Sequence, residues 1–257
     1  MAIRTTAIVN LKGGVAKTTT AINMAAVMAK DYGARILIID ADSQCNITEF
    51  FGGKPEKGNL AEVLRSGAAF DDPAELAYEF IQETGYERIH LLPADESLMD
   101  LDLSKVEQGT VNSNILRCLV ERVRSDYDYV LIDCPPAFNA ASAAALIAAD
   151  DVIIPIKLDA FSLRGMTNLM RQVRNMGRIN PRLRIAGVLP TMWYKDSEII
   201  ASESTLRKAG FRVFHHIRRS DKVDKMTFCQ DPLLGSSPKS SASVDYRKFV
   251  REYMGGK

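Results

Sequence analysis

The 257-residue sequence lacks the features that define several large protein classes. It has no run of 18 or more apolar residues, which excludes an ordinary membrane-spanning helix. The four cysteines include no C-x-x-C pair and the three histidines show no ligand spacing, which argues against zinc and iron–sulfur centres. We therefore expect reduced, buried thiols. The first ten residues, MAIRTTAIVN, show no signal-peptide pattern, and we expect a cytoplasmic protein.

The formal net charge is only +1, but the charges are unevenly distributed along the chain. Between Phe161 and Lys225 the sequence has 14 Lys and Arg residues against five Asp and Glu residues, a local balance of +9. Such an excess is typical of a surface that binds a polyanion, and it is equally compatible with a solvated helix surface. The charge count alone does not choose between these two interpretations.

Short apolar segments alternate with amphipathic segments along the chain. The apolar segments predict strands at residues 5–10, 34–42, 88–94, 127–135, 151–158, 184–192 and 211–217. The amphipathic segments predict helices at 17–31, 59–67, 73–84, 97–106, 112–125, 139–149, 162–178, 198–209 and 243–254. Several strands are apolar at nearly every position, as in parallel sheets covered on both faces. The pattern predicts an α/β fold: a doubly wound, mostly parallel sheet with helices on both faces and ligands at the carboxyl ends of the strands. We expect residues 1–257 to form a single domain, with two small domains as the alternative.

The segment IVNLKGGVAKTTT, residues 8–20, joins the first predicted strand to the first predicted helix and contains two lysines. A glycine-containing loop between a strand and a helix directs backbone N–H groups and the helix amino terminus toward an anion. Lys17 followed by Thr18 fits the end of a phosphate-binding P-loop. Leu11 and Ala16 occupy positions where the ordinary P-loop has glycine, so the segment matches the deviant form K-G-G-x-x-K-[ST] instead.

Four further segments carry a family resemblance in the same order and at similar spacing. They are LIIDADSQCNIT (37–48), DYVLIDCPP (128–136), DDVIIPIKLDAFSLRGM (150–166) and GVLPTM (187–192), followed by the terminal VDYRKFVREYM (244–254). Together with the KGGVAKTTT loop, they make the chain resemble the ParA/Soj partition ATPases almost from end to end. This P-loop group with a deviant Walker A motif also includes MinD and the nitrogenase iron protein.

The resemblance implies a set of site residues and two cofactors, ATP and Mg²⁺. Lys12 reaches across a dimer interface to the nucleotide of the partner subunit, and Gly13 and Gly14 allow the two loops to approach because they have no Cβ. Lys17 serves the phosphates of its own nucleotide, and Asp42 positions the attacking water, so the catalytic set is Lys12, Lys17 and Asp42. The implied Mg²⁺ site consists of Thr18, Asp40 and Asp133. The implied nucleotide-binding residues are Lys12, Gly13, Gly14, Val15, Ala16, Lys17, Thr18, Thr19, Met192, Ile217, Arg218 and Arg219.

The sequence departs from the family pattern at four places. Ala16 replaces a glycine, which we expect to permit nucleotide binding and to slow hydrolysis. Asp159 stands where the family usually has glutamate. The segment IRRS, residues 217–220, replaces I-P-R-N, so a preference for adenine is implied by the resemblance alone. Asp196 takes the position of an arginine that contacts DNA phosphates within the family's D-x-R-T segment.

The implied function is an ATP-dependent dimerising switch of DNA partition for a plasmid, chromosome or mobile element. It hydrolyses ATP slowly, binds DNA without sequence preference as the ATP homodimer, associates with the nucleoid and is stimulated by a ParB-like centromere-binding protein. Because Asp196 would repel phosphate, we expect Lys195, Arg219 and Lys222 to supply the main DNA contacts.

Two alternative functions belong to the same superfamily. A MinD-like positioning ATPase would dock on a membrane through the terminal helix, in which Tyr246, Phe249, Val250, Tyr253 and Met254 share one face. The same spacing is typical of a helix packed on its own sheet, and we therefore expect no membrane contact. A metal- or cluster-handling enzyme is disfavoured by the missing cysteine pair.

Overall fold

A computed structural model describes residues 3–66 and 73–256, apart from the side chains of residues 73 and 160–164. The strands are β1 (Arg4–Ile8), β2 (Ile36–Asp40), β3 (Gln82–Glu83), β4 (Ile89–Leu92), β5 (Tyr129–Asp133), β6 (Asp151–Lys157) and β7 (Arg184–Thr191). They form one sheet in the order β3-β4-β2-β5-β1-β6-β7. All neighbours are parallel except β3 and β4, which confirms the predicted, mostly parallel sheet.

The α-helices of the described residues connect these strands. They are α1 (Lys17–Tyr32), α2 (Asn46–Phe50), α3 (Leu60–Arg65), α4 (Pro73–Glu79), α5 (Leu103–Glu107), α6 (Ile115–Arg122), α7 (Ala140–Ala148), α8 (Ala160–Met176), α9 (Ser197–Lys208), α10 (Lys222–Cys229), α11 (Leu233–Ser236) and α12 (Ser241–Tyr253). None of the helices in this part of the chain combines the length and apolar character needed to cross a membrane.

Two apolar cores lie on opposite faces of the sheet. Successive side chains of a strand point to opposite faces. Accordingly, Leu37 and Ile39 of β2 belong to one core, and Ile36 and Ile38 belong to the other. Helices α6, α7 and α8 contribute buried side chains to the first core, whereas α1 and α12 contribute to the second. The doubly wound arrangement with helices on both faces is thereby confirmed.

The apolar face of α12 packs inside the second core. Tyr246, Phe249, Val250 and Tyr253 are each at most 4% exposed, and Met254 packs against the same cluster. Burying this face stabilises the fold because each large apolar side chain removed from water contributes about 1.5–3 kcal/mol. The face is thus occupied by the protein's own sheet, as the sequence interpretation expected, and it is not available to a membrane.

Several local predictions were wrong, and the local chemistry explains two of them. Residues 211–217 pair with β7 only through the single bridge of Val213 to Val188, because Pro190 of β7 has no N–H with which to continue the ladder. The predicted helix 97–106 is divided into a 3₁₀ turn and α5, since Asp95 and Asp102 each cap a separate turn. The predicted helix 73–84 ends at Glu79 and is followed by β3.

Other differences concern elements and thiols. Helices α2, α10 and α11 were not predicted, and residue 67, predicted as the end of a helix, lies outside the described residues. Of the four cysteines, Cys134 is buried, whereas Cys118 and Cys229 are exposed, so the expectation of buried thiols was wrong for these two. All four are free thiols.

Candidate nucleotide-binding site

The loop between β1 and α1 is held by hydrogen bonds to distant parts of the chain. The Asn10 side-chain amide donates to the carbonyl of Pro155 at 2.7 Å, and the Asn10 oxygen accepts from the N–H of Lys12 at 2.9 Å. The Thr191 hydroxyl at the end of β7 donates to the Val15 carbonyl at 3.1 Å. The loop conformation is therefore fixed by β6 and β7 in addition to its own residues.

Two residues of this loop adopt the left-handed backbone conformation. Gly14 has φ +68°, which glycine tolerates without strain. Ala16, which precedes the first residue of α1, has φ +65°, and an alanine in this region costs about 1 kcal/mol relative to glycine. Alanine in place of glycine at position 16 therefore adds backbone strain as well as a methyl group.

Lys17 begins α1 and lies inside the site. Its side chain is only 7% exposed, and its ammonium group is 3.4 Å from the carbonyl oxygen of Lys12. Burial lowers the pKa of Lys17, and the negative charges of Asp133 and Asp42 offset part of that effect. A buried lysine at the amino terminus of a helix is well placed to attract an anion.

Two buried aspartates end adjacent strands beside this lysine. Asp40 of β2 and Asp133 of β5 are directly opposite in the strand register, and both are 0% exposed. The N–H and hydroxyl of Thr48 both donate to Asp40 at 2.8 Å, and the Thr18 hydroxyl donates to Asp133 at 2.6 Å. The sheet thus brings together the three residues predicted to bind Mg²⁺: Thr18, Asp40 and Asp133.

The electrostatics of these carboxylates favour a cation. Burial raises the pKa of Asp40 to about 6, although hydrogen bonds from Thr48 lower it. Burial, and then the neighbouring charge of Asp40, raises the pKa of Asp133 above its usual value. One carboxylate oxygen of Asp133, Oδ1, is buried without a hydrogen-bond partner in the described structure. An uncompensated buried carboxylate oxygen is costly, and a nearby positive ion would stabilise it.

The small number of protein ligands in the site suits Mg²⁺. Among the described residues, no three His, Cys, Asp or Glu side chains are grouped so that they could hold a metal by themselves. Mg²⁺ usually takes only one or two protein ligands and completes its octahedron with water and substrate phosphates. The Thr18 hydroxyl and the two carboxylates therefore fit a metal that enters together with a nucleotide.

A cavity of about 880 Å³ lies above the loop and is large enough for a nucleotide. The predicted residues that line it are Gly13, Gly14, Ala16, Lys17, Thr18, Thr19, Asp42, Met192, Ile217, Arg218 and Arg219. Lining residues that the sequence interpretation missed include Gln44, Tyr194, Ser220, Asp224 and Tyr246. Lys12 and Val15 do not line the cavity, and Val15 is buried behind the loop with 1% exposure.

Comparisons with known proteins agree with this geometry. A family model described as an AAA domain matches residues 3–185. The chromosome partitioning protein ParA of Caulobacter vibrioides is 35% identical over 258 residues, covering 97% of this chain and 93% of that protein. The chain belongs to the ParA/Soj family of partition ATPases. The sporulation initiation inhibitor protein Soj of Bacillus subtilis is 32% identical over 235 residues, covering 90% and 86% of the two chains.

A solved structure with a bound nucleotide is also similar. The cobyrinic acid a,c-diamide synthase of Mycobacterium smegmatis, with bound ATP analogue and magnesium, has 27% identity and a TM-score of 0.79. The similarity covers 99% of this ParA/Soj chain and 97% of the synthase. The resemblance inferred from the sequence motifs is therefore confirmed at the level of the family and the fold.

The first lysine of the ParA/Soj loop forms an ion pair within its own chain. The Lys12 ammonium group is 2.9 Å from both carboxylate oxygens of Asp159, the residue that replaces the usual glutamate. Lys157 approaches the same carboxylate at 4.0 Å. In order to reach the nucleotide of a second subunit, Lys12 must therefore leave Asp159.

The sequence interpretation missed Asp245, which supports the cavity-lining segment 217–220. Asp245 of α12 is 0% exposed and accepts hydrogen bonds from the Arg218 backbone N–H at 3.1 Å, from Arg218 Nε at 2.7 Å and from His215 Nε2 at 3.1 Å. Burial opposes its ionisation, but these hydrogen bonds hold the pKa of Asp245 below its usual value. Arg218, found where relatives have proline, thus anchors the cavity-lining segment 217–220 to the last helix. No local pattern marks this contact, because the two residues are 27 positions apart.

We expect Asp245→Asn to weaken nucleotide binding about tenfold, since it removes a charge-assisted hydrogen bond that positions segment 217–220. The effect should appear as a raised KM for ATP with little change in kcat, because Asp245 lies away from Asp42 and the phosphate loop. Arg247→Gln is the matched control, as Arg247 lies on the same helix and its side chain donates to Asp31 and to the Pro238 carbonyl at the surface. Unchanged nucleotide affinity in a folded Asp245→Asn protein would contradict this positioning role.

The segments that carry the three predicted DNA-contacting residues lie beyond the carboxyl end of β7. The N–H of Trp193 donates to Ile217 and the N–H of Arg219 donates to Trp193, each at 2.9 Å, so the segments that carry Lys195 and Arg219 run side by side. The side chains of Lys195 and Arg219 are exposed and make no salt bridge with a described residue, whereas Lys222 pairs with Asp221 at 3.0 Å.

Asp196 has a structural role that the sequence interpretation did not anticipate. Its carboxylate accepts from the N–H groups of Glu198 and Ile199 at 2.8 Å and 3.3 Å and caps the amino terminus of α9. An N-cap aspartate typically stabilises a helix by about 1 kcal/mol. The negative charge is thereby directed into its own helix, which reduces the expected repulsion of a phosphate.

Proposed function

We propose that this ParA/Soj ATPase is an ATP-dependent dimerising switch that binds DNA without sequence preference and releases it after hydrolysis. One observation supports the proposal above all others: a buried lysine and Thr18 line a nucleotide-sized cavity, two strand-end aspartates are buried next to them, and a second lysine lies outside the cavity in a separable ion pair. We further propose that all 257 residues act as a single domain.

Within the cavity, each group has a distinct proposed role. Lys17 and the backbone N–H groups from Gly13 to Thr19 bind the phosphates, and Met192, Ile217, Arg218 and Arg219 surround the base. Bound Mg²⁺ supplies charge neutralisation at the phosphates. Thr18 would hold it directly, and Asp40 and Asp133 would hold it through water. The ATP analogue and magnesium in the similar synthase structure support both ligands.

Hydrolysis is proposed to depend on Asp42. This residue is 7% exposed, lines the cavity and accepts the Gln44 N–H at 3.0 Å, which fixes its carboxylate. A carboxylate so held can orient a water molecule for in-line attack. We propose slow basal hydrolysis that a ParB-like partner stimulates, because the strained Ala16 loop and the pairing of Lys12 with Asp159 leave the isolated subunit incomplete.

Dimerisation is proposed to bring two loops face to face with ATP between them. A side chain built at Gly13 or Gly14 would meet no atom within 4 Å, so the space in front of the loop is open. Lys12 would exchange the Asp159 carboxylate for a phosphate of the partner's nucleotide. This exchange replaces one anion with another and therefore does not leave a bare charge.

The proposed DNA surface combines Lys195, Arg219 and Lys222, and it becomes continuous only when two subunits join. The name of the similar chromosome partitioning protein ParA of Caulobacter vibrioides supports a role with DNA. Contacts of this kind go to the phosphate backbone and carry no sequence information. A protein that binds DNA in this way would be associated with the nucleoid.

We predict that random duplex DNA binds more tightly with ATP than with ADP. Changing Lys195, Arg219 and Lys222 together to Ala should make the slope of log K against log[salt] shallower by about 2.7 per subunit, that is, 0.9 for each lost phosphate contact. Filter binding across a salt series measures both effects. The control changes Lys54, Lys57 and Lys248 to Ala, three exposed lysines outside the proposed sites. Equal binding with ATP and ADP, even at low salt, would contradict the switch.

A further inference from the structure

Residues 160–195 contain seven Lys and Arg residues and no Asp or Glu. The acidic residues that partly balance the basic region all follow Lys195. In the folded protein, α8 covers the first half of this segment and β7 follows it. Five of the 14 basic residues of the region 161–225 therefore lie on α8 or in the turn after it, in a segment that has no acidic residue.

Three arginines lie on the exposed side of α8 and of the turn after it. Met166, Leu169, Val173 and Met176 form the buried side of the helix. Arg171, Arg174 and Arg178 are exposed, at helical spacings that place them on the opposite side, and we call this set the arginine stripe. None of the three forms a salt bridge with a described residue, although Arg171 donates to the side chain of Asn168 at 2.9 Å.

An ordinary solvated helix surface does not account for this set. Exposed helices normally alternate charges that attract each other three or four positions apart, and like charges at these spacings destabilise a helix. Arg174 lies in the last turn, where the helix dipole favours a cation. That effect does not reach Arg171, which precedes the final turn. The repulsion among the three arginines would be relieved by an anionic partner.

We propose that the arginine stripe is a second surface for the phosphate backbone of duplex DNA, which rests on the DNA-binding part of the proposed function. Arginine presents a planar fork of donors that matches phosphate oxygens. The seven residue steps from Arg171 to Arg178 span about 10 Å, the axial length over which one DNA strand carries three phosphates.

The arginine stripe lies apart from the surface of Lys195, Arg219 and Lys222. Arg178 precedes the start of β7, and Asn180, two residues later, binds the carbonyls of Leu146 and Ala149 ahead of β6. Lys195 follows the other end of β7, a strand of eight residues that is about 26 Å long. The stripe is complete on one subunit, so its three contacts remain with ADP, whereas the surface that needs two subunits is lost after hydrolysis and the affinity for DNA falls.

The test measures duplex binding with ADP across a salt series. Changing Arg171, Arg174 and Arg178 together to Gln should make the salt slope shallower by about 2.7, because three phosphates are no longer neutralised. The corresponding triple change to Lys should keep the slope, since the charges remain, and should bind more weakly. Changing Lys54, Lys57 and Lys248 to Gln removes the same charge elsewhere and should leave the slope as it is. Melting temperatures of all variants verify folding.

The possible outcomes distinguish a failure of the arginine-stripe proposal from a failure of the ATP-dependent switch. An unaltered slope in the Gln variant overturns the stripe, as does a wild type that binds no duplex with ADP at the lowest salt. If the Gln variant has a shallower salt slope but the wild type binds duplex DNA no more tightly with ATP than with ADP, the arginine stripe is supported and the ATP-dependent switch is contradicted. If polyglutamate displaces the wild type more readily than unlabelled duplex does, the stripe binds an acidic protein segment and the assignment to DNA is wrong.

Discussion

Lys17→Ala is expected to weaken ATP binding about 100-fold, whereas Lys12→Ala should leave nucleotide binding in the monomer unchanged and abolish ATP-dependent dimers. Lys17 is buried at the start of α1 beside the cavity, and losing a buried charge that contacts phosphate costs about 3 kcal/mol. Lys12 does not line the cavity of its own subunit and pairs with Asp159. We therefore expect its removal to break the ion pair with Asp159 and the contact with a second nucleotide, and to leave nucleotide binding by its own subunit unchanged.

Titration with a fluorescent ATP analogue measures the first effect, and sizing chromatography with ADP and with ATP measures the second. Lys54→Ala, a change of an exposed lysine remote from the loop, provides the control for both measurements. Equal loss of nucleotide affinity in the Lys12 and Lys17 variants would show that both lysines serve the same phosphates, and the proposed division of roles would be wrong.

Asp42→Ala should retain Mg²⁺–ATP and the dimer while hydrolysis slows by about 100-fold, as expected for the loss of a water-positioning group. The structural basis is the difference among three neighbouring carboxylates. Asp40 and Asp133 are fully buried and bonded to Thr48 and Thr18, whereas Asp42 lines the cavity. The trapped dimer should remain on DNA longer than the wild type.

Single-turnover hydrolysis and sizing chromatography with ATP check this prediction. Asp42→Asn is the matched variant, because it preserves the shape of the side chain and its acceptor for the Gln44 N–H. Asp40→Ala serves as the contrast, since it removes the acceptor of two Thr48 hydrogen bonds and should lower stability. An Asp42→Ala protein that stays monomeric with ATP would refute the assignment.

Local patterns in the sequence were enough to predict the sheet, most helices and the position of the loop. Apolar runs such as residues 36–39 are buried because a parallel sheet is covered on both faces, and this requirement acts on each strand separately. Asp40 and Asp133 could be paired from the sequence alone, because each ends a strand and parallel strands present their carboxyl ends at one edge. The family resemblance added the roles of Lys12 and Asp42, which remain predictions.

Only the tertiary structure decided which charged side chains meet. Lys12 and Asp159 are 147 positions apart, and Arg218 and Asp245 are 27 apart, so neither pair produces a periodic signal. The same limit explains residues 211–217, which look like a strand but lose the ladder where their partner strand β7 has Pro190. The left-handed backbone of Ala16 likewise depends on the contacts that hold the loop from β6 and β7. Hydrophobic periodicity and the residue type at a strand end can be read within a single segment. The partner of a charged side chain depends on how distant segments pack against each other.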